Sequence, residues 1–194
     1  MLIVGTDPIA VEADLLAGRL SCPRCASVLR RWGHARCREV RTRTSSEQRR
    51  PRRAICRLCN VTHVLLGEDT LVRRRDDVEV IGAALVKKGA GMGRRSIAAS
   101  LCRHESTVAS WLRRFSETAE RLREHFTAWA AVLDPGHGAI SPTGSAFGDA
   151  LEVIGVLASV AVRRFGPRSA FCLASVLSQG GLLATRAHHY RPPS

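Results

Sequence analysis

Residues 20–29 read LSCPRCASVL and residues 53–66 read RAICRLCNVTHVLL. Each stretch holds two cysteines two residues apart: Cys22 and Cys25, then Cys56 and Cys59. That gap lets both thiolates of one turn face the same ion, with the turn's N–H groups free to bond the sulfurs. Two such knuckles supply four soft ligands in a tetrahedron, the donor set that suits one structural Zn²⁺. Between the pairs, 28–41 has strand-like pieces around Trp32 and Val40, and 52–55 leads back to the second knuckle. The polar stretch 42–48 is expected to be a disordered tip. The β-branched run 61–66 predicts a third strand. Residues 19–72 therefore read as a small zinc ribbon with four cysteine ligands. About fifty residues bury little core, so the metal is expected to hold them folded. Chelation should then unfold this part and leave the rest largely intact.

Outward from the knuckles, the dominant feature is charge. The 194 residues carry 30 Lys+Arg against 17 Asp+Glu, a formal charge of +13. All the basic residues but Lys87 and Lys88 are arginine. A GC-rich genome accounts for arginine over lysine but not for the excess over acids. Such a chain attracts polyanions, because phosphate contacts release condensed counterions. Around the knuckles, eleven arginines from Arg30 to Arg57 face only Glu39 and Glu47. An iron site with four cysteine ligands shares the spacing, but this setting suits phosphate contact better than electron transfer. Arg52 and Arg53 are candidate DNA contacts. His34 and His63 are substitute ligands at most. Cys37 reads as a bystander, and Cys102 and Cys172 read as small core residues. No secretion signal or membrane span is visible, which points to a cytoplasmic, nucleoid-associated protein with reduced cysteines.

The second motif is RRSIAASLCRHESTVASWLRRF at 94–115. Ile97, Ala98 and Leu101 share one helical face, and Val108, Trp111, Leu112 and Phe115 share the next. Cys102, Arg103 and His104 make the turn. Many helix-turn-helix proteins carry glycine where this chain has Cys102. An earlier helix, 78–88, offers Val80, Ile81, Ala84 and Leu85 and is broken by Gly89, Gly91 and Gly93. Three helices over 76–116 predict a homeodomain-like helix-turn-helix whose helix 104–115 reads the major groove of double-stranded DNA. His104, Glu105, Ser106, Thr107, Ser110, Arg113 and Arg114 are its candidate contacts: Arg113 suits guanine, Glu105 a cytosine amino group. Glu105 equally suits a helix start without DNA. Arg94 and Arg95 are candidates for phosphate.

Beyond this motif, Phe115, Ala119, Leu122, Phe126, Trp129 and Leu133 continue one apolar stripe. Phe147, Leu151, Ile154, Ala158, Ala161 and Phe165 make another. The linker 134–144 joins them, so 117–178 is expected to be an antiparallel helical hairpin; the alternative is a seam shared with a second copy in a homodimer. Residues 1–18 form an N-terminal segment with no usable motif, and 179–194 a flexible tail. The expected class is α+β, mainly α.

CPRC, WGHARCREVR, RRAICRLCNVTHVLLG, IGAAL and RRSIAASLCRHESTVASWLRRF together resemble a group of bacterial zinc-ribbon plus helix-turn-helix proteins. That group is similar to the DNA-binding front ends of insertion-sequence transposases. The resemblance covers about 22–130 and implies zinc and DNA binding. A transposase needs three acids on a sheet-containing fold. Here Asp134, Asp149 and Glu152 are the only acids beyond residue 124, with no strands around them, so no enzymatic activity and no small-molecule substrate are expected. Three readings stay open: a DNA-binding regulator or stand-alone transposase-derived protein, a protein-interaction module, and an accessory fragment whose catalytic part is separate. Arginines continuous with the helix 104–115 favour the first.

Overall fold

In the computed structural model, which describes residues 1–136 and 141–184, the chain is α+β. The first strand, β1 (Leu2–Val4), leads into α1 (Pro8–Leu16). Asp7 starts α1 by accepting the Ile9 N–H at 2.8 Å, and Pro8 sits where no helical N–H is needed. Val11 and Leu15 lie four apart on one face and bury against Leu29, Ala54 and Leu65. β1 pairs in parallel with the strand that follows the second knuckle, Leu2 opposite Leu65 and Val4 opposite Gly67. Residues 1–18, set apart in the sequence, are thus built into the cysteine-bearing unit.

The remaining strands are β2 (Leu29–His34), β3 (Arg38–Arg41), β4 (Ser46–Arg49), β5 (Arg52–Cys56) and β6 (Thr62–Gly67). Their sheet runs β1-β6-β5-β2, while β3 and β4 pair with each other. β2–β3 and β4–β5 are the two arms of one bent hairpin. The bend follows a register shift between Arg31 and His34, and the Ala35 N–H holds it by donating to the Pro51 carbonyl at 2.8 Å. The expected disordered tip is ordered instead. Ser46–Arg49 pairs in register with Arg38–Arg41, and the Thr42 hydroxyl accepts the Ser45 N–H at 2.9 Å to close the turn. Arg49 fixes the arm to Asp69 at 2.5 Å. The polar strand SEQR has no apolar alternation to announce it.

A second core belongs to the helices α2 (Val78–Gly89), α3 (Arg94–Ser100), α4 (Glu105–Leu133), α5 (Ala146–Phe165) and α6 (Ala170–Leu177). Asp77 caps α2 by accepting the Val80 N–H at 2.8 Å. Val80, Ile81, Ala84 and Leu85 meet Ile97, Ala98, Val108, Trp111 and Phe115 in that core. A Cβ at Gly82 would overlap the Phe171 ring, so α6 lies directly on α2. The division drawn at 116/117 falls inside α4, which is continuous for 29 residues.

α4 and α5 do not form an antiparallel hairpin. Phe147, at the start of α5, meets Phe115 edge-on with ring centroids 4.9 Å apart. Arg163, at its end, pairs with Asp134 at 2.6 Å, just past the end of α4. The two helices therefore run parallel, so α5 begins back at the level of Phe115; residues 137–140 of the connection lie outside the described ones. The apolar stripes fix which faces meet but not the direction of travel. Leu122, Phe126 and Ala130 bury alongside Val153, Ile154, Leu157 and Ala161, whereas Phe165 points outward. This seam closes within one chain.

The expected flexible tail is in part structural. The Val72 N–H donates to the Gly180 carbonyl at 3.2 Å, and Leu182 and Leu183 are buried in the helical core. Residues 185–194 lie outside the described ones. Among the described residues, no helix is long and apolar enough to cross a membrane.

Candidate metal centre and basic cleft

The two knuckles follow the same backbone path. The residue after each second cysteine, Ala26 (φ 59°) and Asn60 (φ 55°), is left-handed. The Cys22 N–H donates to the Ser27 carbonyl at 2.8 Å and the Cys56 N–H to the Val61 carbonyl at 2.9 Å. Each turn then aims N–H groups at its sulfurs. Arg24 donates to Cys22 Sγ at 3.4 Å, Ser27 to Cys25, Leu58 and Cys59 to Cys56, and Val61 to Cys59. Such donors stabilise thiolates rather than thiols.

The four sulfurs lie within 4.8 Å of one another. Cys22 and Cys59 are 3.7 Å apart, Cys25 and Cys56 3.4 Å. Sulfurs about 2.3 Å from a central ion form a tetrahedron with edges of about 3.8 Å, so the group has the dimensions of a metal site. Its protonation points the same way. Backbone donation from Cys59 pulls the Cys56 thiol down to about 6. At Cys25 the Ser27 N–H lowers the pKa, but the neighbouring sulfurs outweigh it and push the thiol up to about 12. Burial raises Cys59 as well. Four converging sulfurs cannot all ionise without a cation among them. Cys22, Cys25, Cys56 and Cys59 can hold one metal ion.

His63 stands beside this set rather than in it. Its Nε2 lies 3.4 Å from Cys22 Sγ, and burial lowers its pKa, which keeps the ring neutral. His34 is exposed beside Arg52, and Cys37 is exposed with its thiol on Gln48 at 3.4 Å. Cys172 is half-buried, its thiol pushed up to about 12 by burial. Cys102 is not a core residue: it is exposed, with φ 51°. It ends α3 in a paired turn, Cys102 N–H to the Ala99 carbonyl and Arg103 N–H to the Ala98 carbonyl, 3.2 and 3.0 Å. This is the conformation that glycine adopts at no steric cost.

The candidate nucleic-acid contacts divide into groups. Arg94 and Arg95 both reach Glu105, at 2.6 and 3.5 Å, and so tie α3 to the first turn of α4. His104 caps α4, its Nδ1 accepting the Ser106 N–H at 3.2 Å. Arg113 pairs with Glu117 at 2.7 Å, and Arg114 donates to the Ser110 hydroxyl at 3.4 Å. Arg52 and Arg53 are not with them. They lie on β5, where Arg52 is held by Glu12 at 2.7 Å and Arg53 donates to Thr62 at 3.1 Å.

Other arginines do adjoin α4. Arg41 of β3 and the turn Arg73, Arg74 and Arg75 line a cleft of about 330 Å³ whose other wall is Ser106, Thr107, Ser110 and Trp111. The run RRR falls between the two motifs, and its charge was the only signal in the sequence that could have singled it out. Asp76, 3% exposed, forms the floor, with one carboxylate oxygen 2.7 Å from Arg41 and the other 2.5 Å from Arg103. Arg103 also donates to the Thr42 carbonyl at 2.6 Å. One buried acid thus joins the hairpin tip to the turn between α3 and α4. No family model, no curated protein and no solved structure matches the chain.

Proposed function

We propose that the chain is a double-stranded-DNA-binding protein with one structural Zn²⁺ on Cys22, Cys25, Cys56 and Cys59. Four cysteines with short sulfur–sulfur distances and N–H donors on each sulfur suit zinc, which needs no open coordination position in a structural role. On this reading the β unit is a zinc ribbon, and α2, α3 and α4 are a helix-turn-helix whose α4 enters the major groove. The observation that carries it is the outer face of α4. Ser106, Thr107 and Ser110 line an arginine-rich cleft, and Arg94 and Arg95 stand at the same end of the unit. That continuity favours DNA over a protein partner, because specific protein–DNA interfaces are far more positively charged than protein–protein ones. The likeness of the motifs to transposase front ends fits the same reading, as does a place at the nucleoid. A second copy would have to use surfaces other than the closed α4–α5 seam; Val132, Val162 and Phe165 are exposed at one end of it.

Two measurements test this. Elemental analysis by mass spectrometry of protein purified without chelator should give one zinc per chain; iron or no metal refutes the zinc assignment. Selection of genomic fragments by the zinc-loaded protein should yield a common motif. Binding that falls with salt but shows no sequence preference removes the base-reading role of α4. Absence of binding at low salt removes the DNA reading altogether.

A further inference from the structure

We infer that the cleft between the 73–75 turn and α4 is a phosphate site that clamps one strand of the DNA backbone beside the groove α4 enters. It rests on the DNA reading and adds residues that no motif names, Arg73, Arg74 and Arg41; Ser106 and Ser110 of α4 stand opposite them.

Three observations carry it. The first is uncompensated charge. Among the described residues Asp76 is the only acid lining the cleft, and both its oxygens are already taken by Arg41 and Arg103. Arg73 has no side-chain partner among the described residues, and Arg75 only brushes Glu39 at 4.0 Å. The second is unused donors. The Nε groups of Arg41 and Arg74 are buried and have no hydrogen-bond partner. A buried guanidinium N–H left unpaired costs more than a paired one contributes, so neither guanidinium is fully satisfied within the chain. The third is mutual repulsion. Burial, then the charges of Arg114 and Arg73, lower the Arg74 pKa. An anion held between them relieves that repulsion, and the guanidinium fork suits phosphate. The opposite wall suits the same ligand, since α4 begins there and the positive end of its dipole favours negative charge. The occupant is a phosphodiester, because the cleft is open, polar and adjoins the face of α4 assigned to bases.

The cleft also explains the hairpin. Arg38 of β3 donates to the Arg74 carbonyl, and the Arg41 N–H donates to the Arg75 carbonyl at 2.7 Å. The arm that reaches out from the cysteine unit holds the arginine turn in place. Metal binding and phosphate binding thereby share one scaffold.

The test is duplex-DNA binding by fluorescence anisotropy across a salt series, with the zinc-loaded full chain. Arg73→Gln with Arg74→Gln should weaken binding roughly tenfold on every sequence and lower the salt slope by about 1, the value for one lost phosphate contact. Arg74→Lys should keep the slope while losing part of the affinity, since it keeps charge but not the fork. The comparison variant Arg163→Gln with Arg164→Gln removes the same charge at the far end of α4, about 40 Å away along 29 residues. It should leave slope and affinity near wild type. Zinc content and circular dichroism establish that each variant is folded. An unchanged slope in the Arg73/Arg74 variant, or an equal loss in the remote pair, overturns the clamp while leaving the DNA reading standing. Wild-type protein that binds no DNA overturns both.

Discussion

Replacing Asp76 with alanine should be among the most damaging single changes outside the cysteines. Asp76 is 3% exposed and faces Arg103, 11% exposed, and Arg41, 37% exposed. Removing one partner of a buried pair typically costs about 3–5 kcal/mol, because the remaining charge stays buried and unmatched. The Arg41 share is small, since that side chain is screened by solvent. Arg103 keeps the Thr42 and Leu101 carbonyls as acceptors, at 2.6 and 3.2 Å. The low end therefore applies, about 3 kcal/mol. Arg41→Ala should cost no more than about 1 kcal/mol. The double change Asp76→Leu with Arg103→Met should recover most of the loss, because apolar replacement of a whole buried pair is often neutral. Urea unfolding of zinc-loaded protein, followed by circular dichroism and tryptophan fluorescence, measures all three. Trp111 lines the same cleft and reports locally. The Asp76→Ala variant should also show a smaller m-value or two transitions, because the residue joins the β unit to the helices. A loss below about 1 kcal/mol, or a double variant less stable than Asp76→Ala, refutes the reasoning.

Chelation should melt the β unit, whose core is a small cluster that includes two of the cysteines, while most of the helical signal at 222 nm survives; none of the four lies in the helical core. Simultaneous loss of both signals would show that the β unit cannot unfold alone. His125 is buried, its Nε2 on the Leu177 carbonyl at 3.0 Å, and burial lowers its pKa from 6.5. The unfolded chain then takes up this proton first as pH falls. Stability is full above about pH 6.5 and declines below it by up to about 1.4 kcal/mol per pH unit until the folded-state pKa is reached. His125→Gln should flatten that slope, and equal slopes in the two proteins would exclude His125 as its source. Cys102→Gly should stabilise the protein by roughly 1 kcal/mol in thermal melts, since a left-handed non-glycine residue is strained; a lower melting temperature would mean the thiol has a contact of its own.

The cysteine set was legible because its information is local: two residues of spacing define a knuckle wherever it occurs. The α3–α4 turn was legible for the same reason, and Cys102 takes the glycine-like conformation despite its side chain. What escaped the sequence depends on distant partners. β1 and α1 look unremarkable until Leu65 and Leu29 cover them. β4 is polar and is ordered by Arg38 opposite Arg49 and by Asp69. Leu182 and Leu183 follow a Gly-Gly pair that reads as an end, yet they fill the helical core. Arg52 and Arg53 share the charge of the arginines around α4 but lie in the other sheet, and charge alone carries no address.

The parallel course of α4 and α5 makes the stretch between them a strap with a minimum length. From Phe115 to Asp134 the chain climbs about 28 Å at 1.5 Å per residue. Returning to Phe147 from there takes at least about eight extended residues at roughly 3.4 Å each. Residues 134–145 meet that need with only a few to spare. Most surface connections accept gains and losses of residues alike. This one should accept insertions almost freely, at a small entropic cost, but a deletion of more than about four residues leaves the return span uncovered. Natural or engineered variation in this stretch should therefore run in one direction, towards greater length.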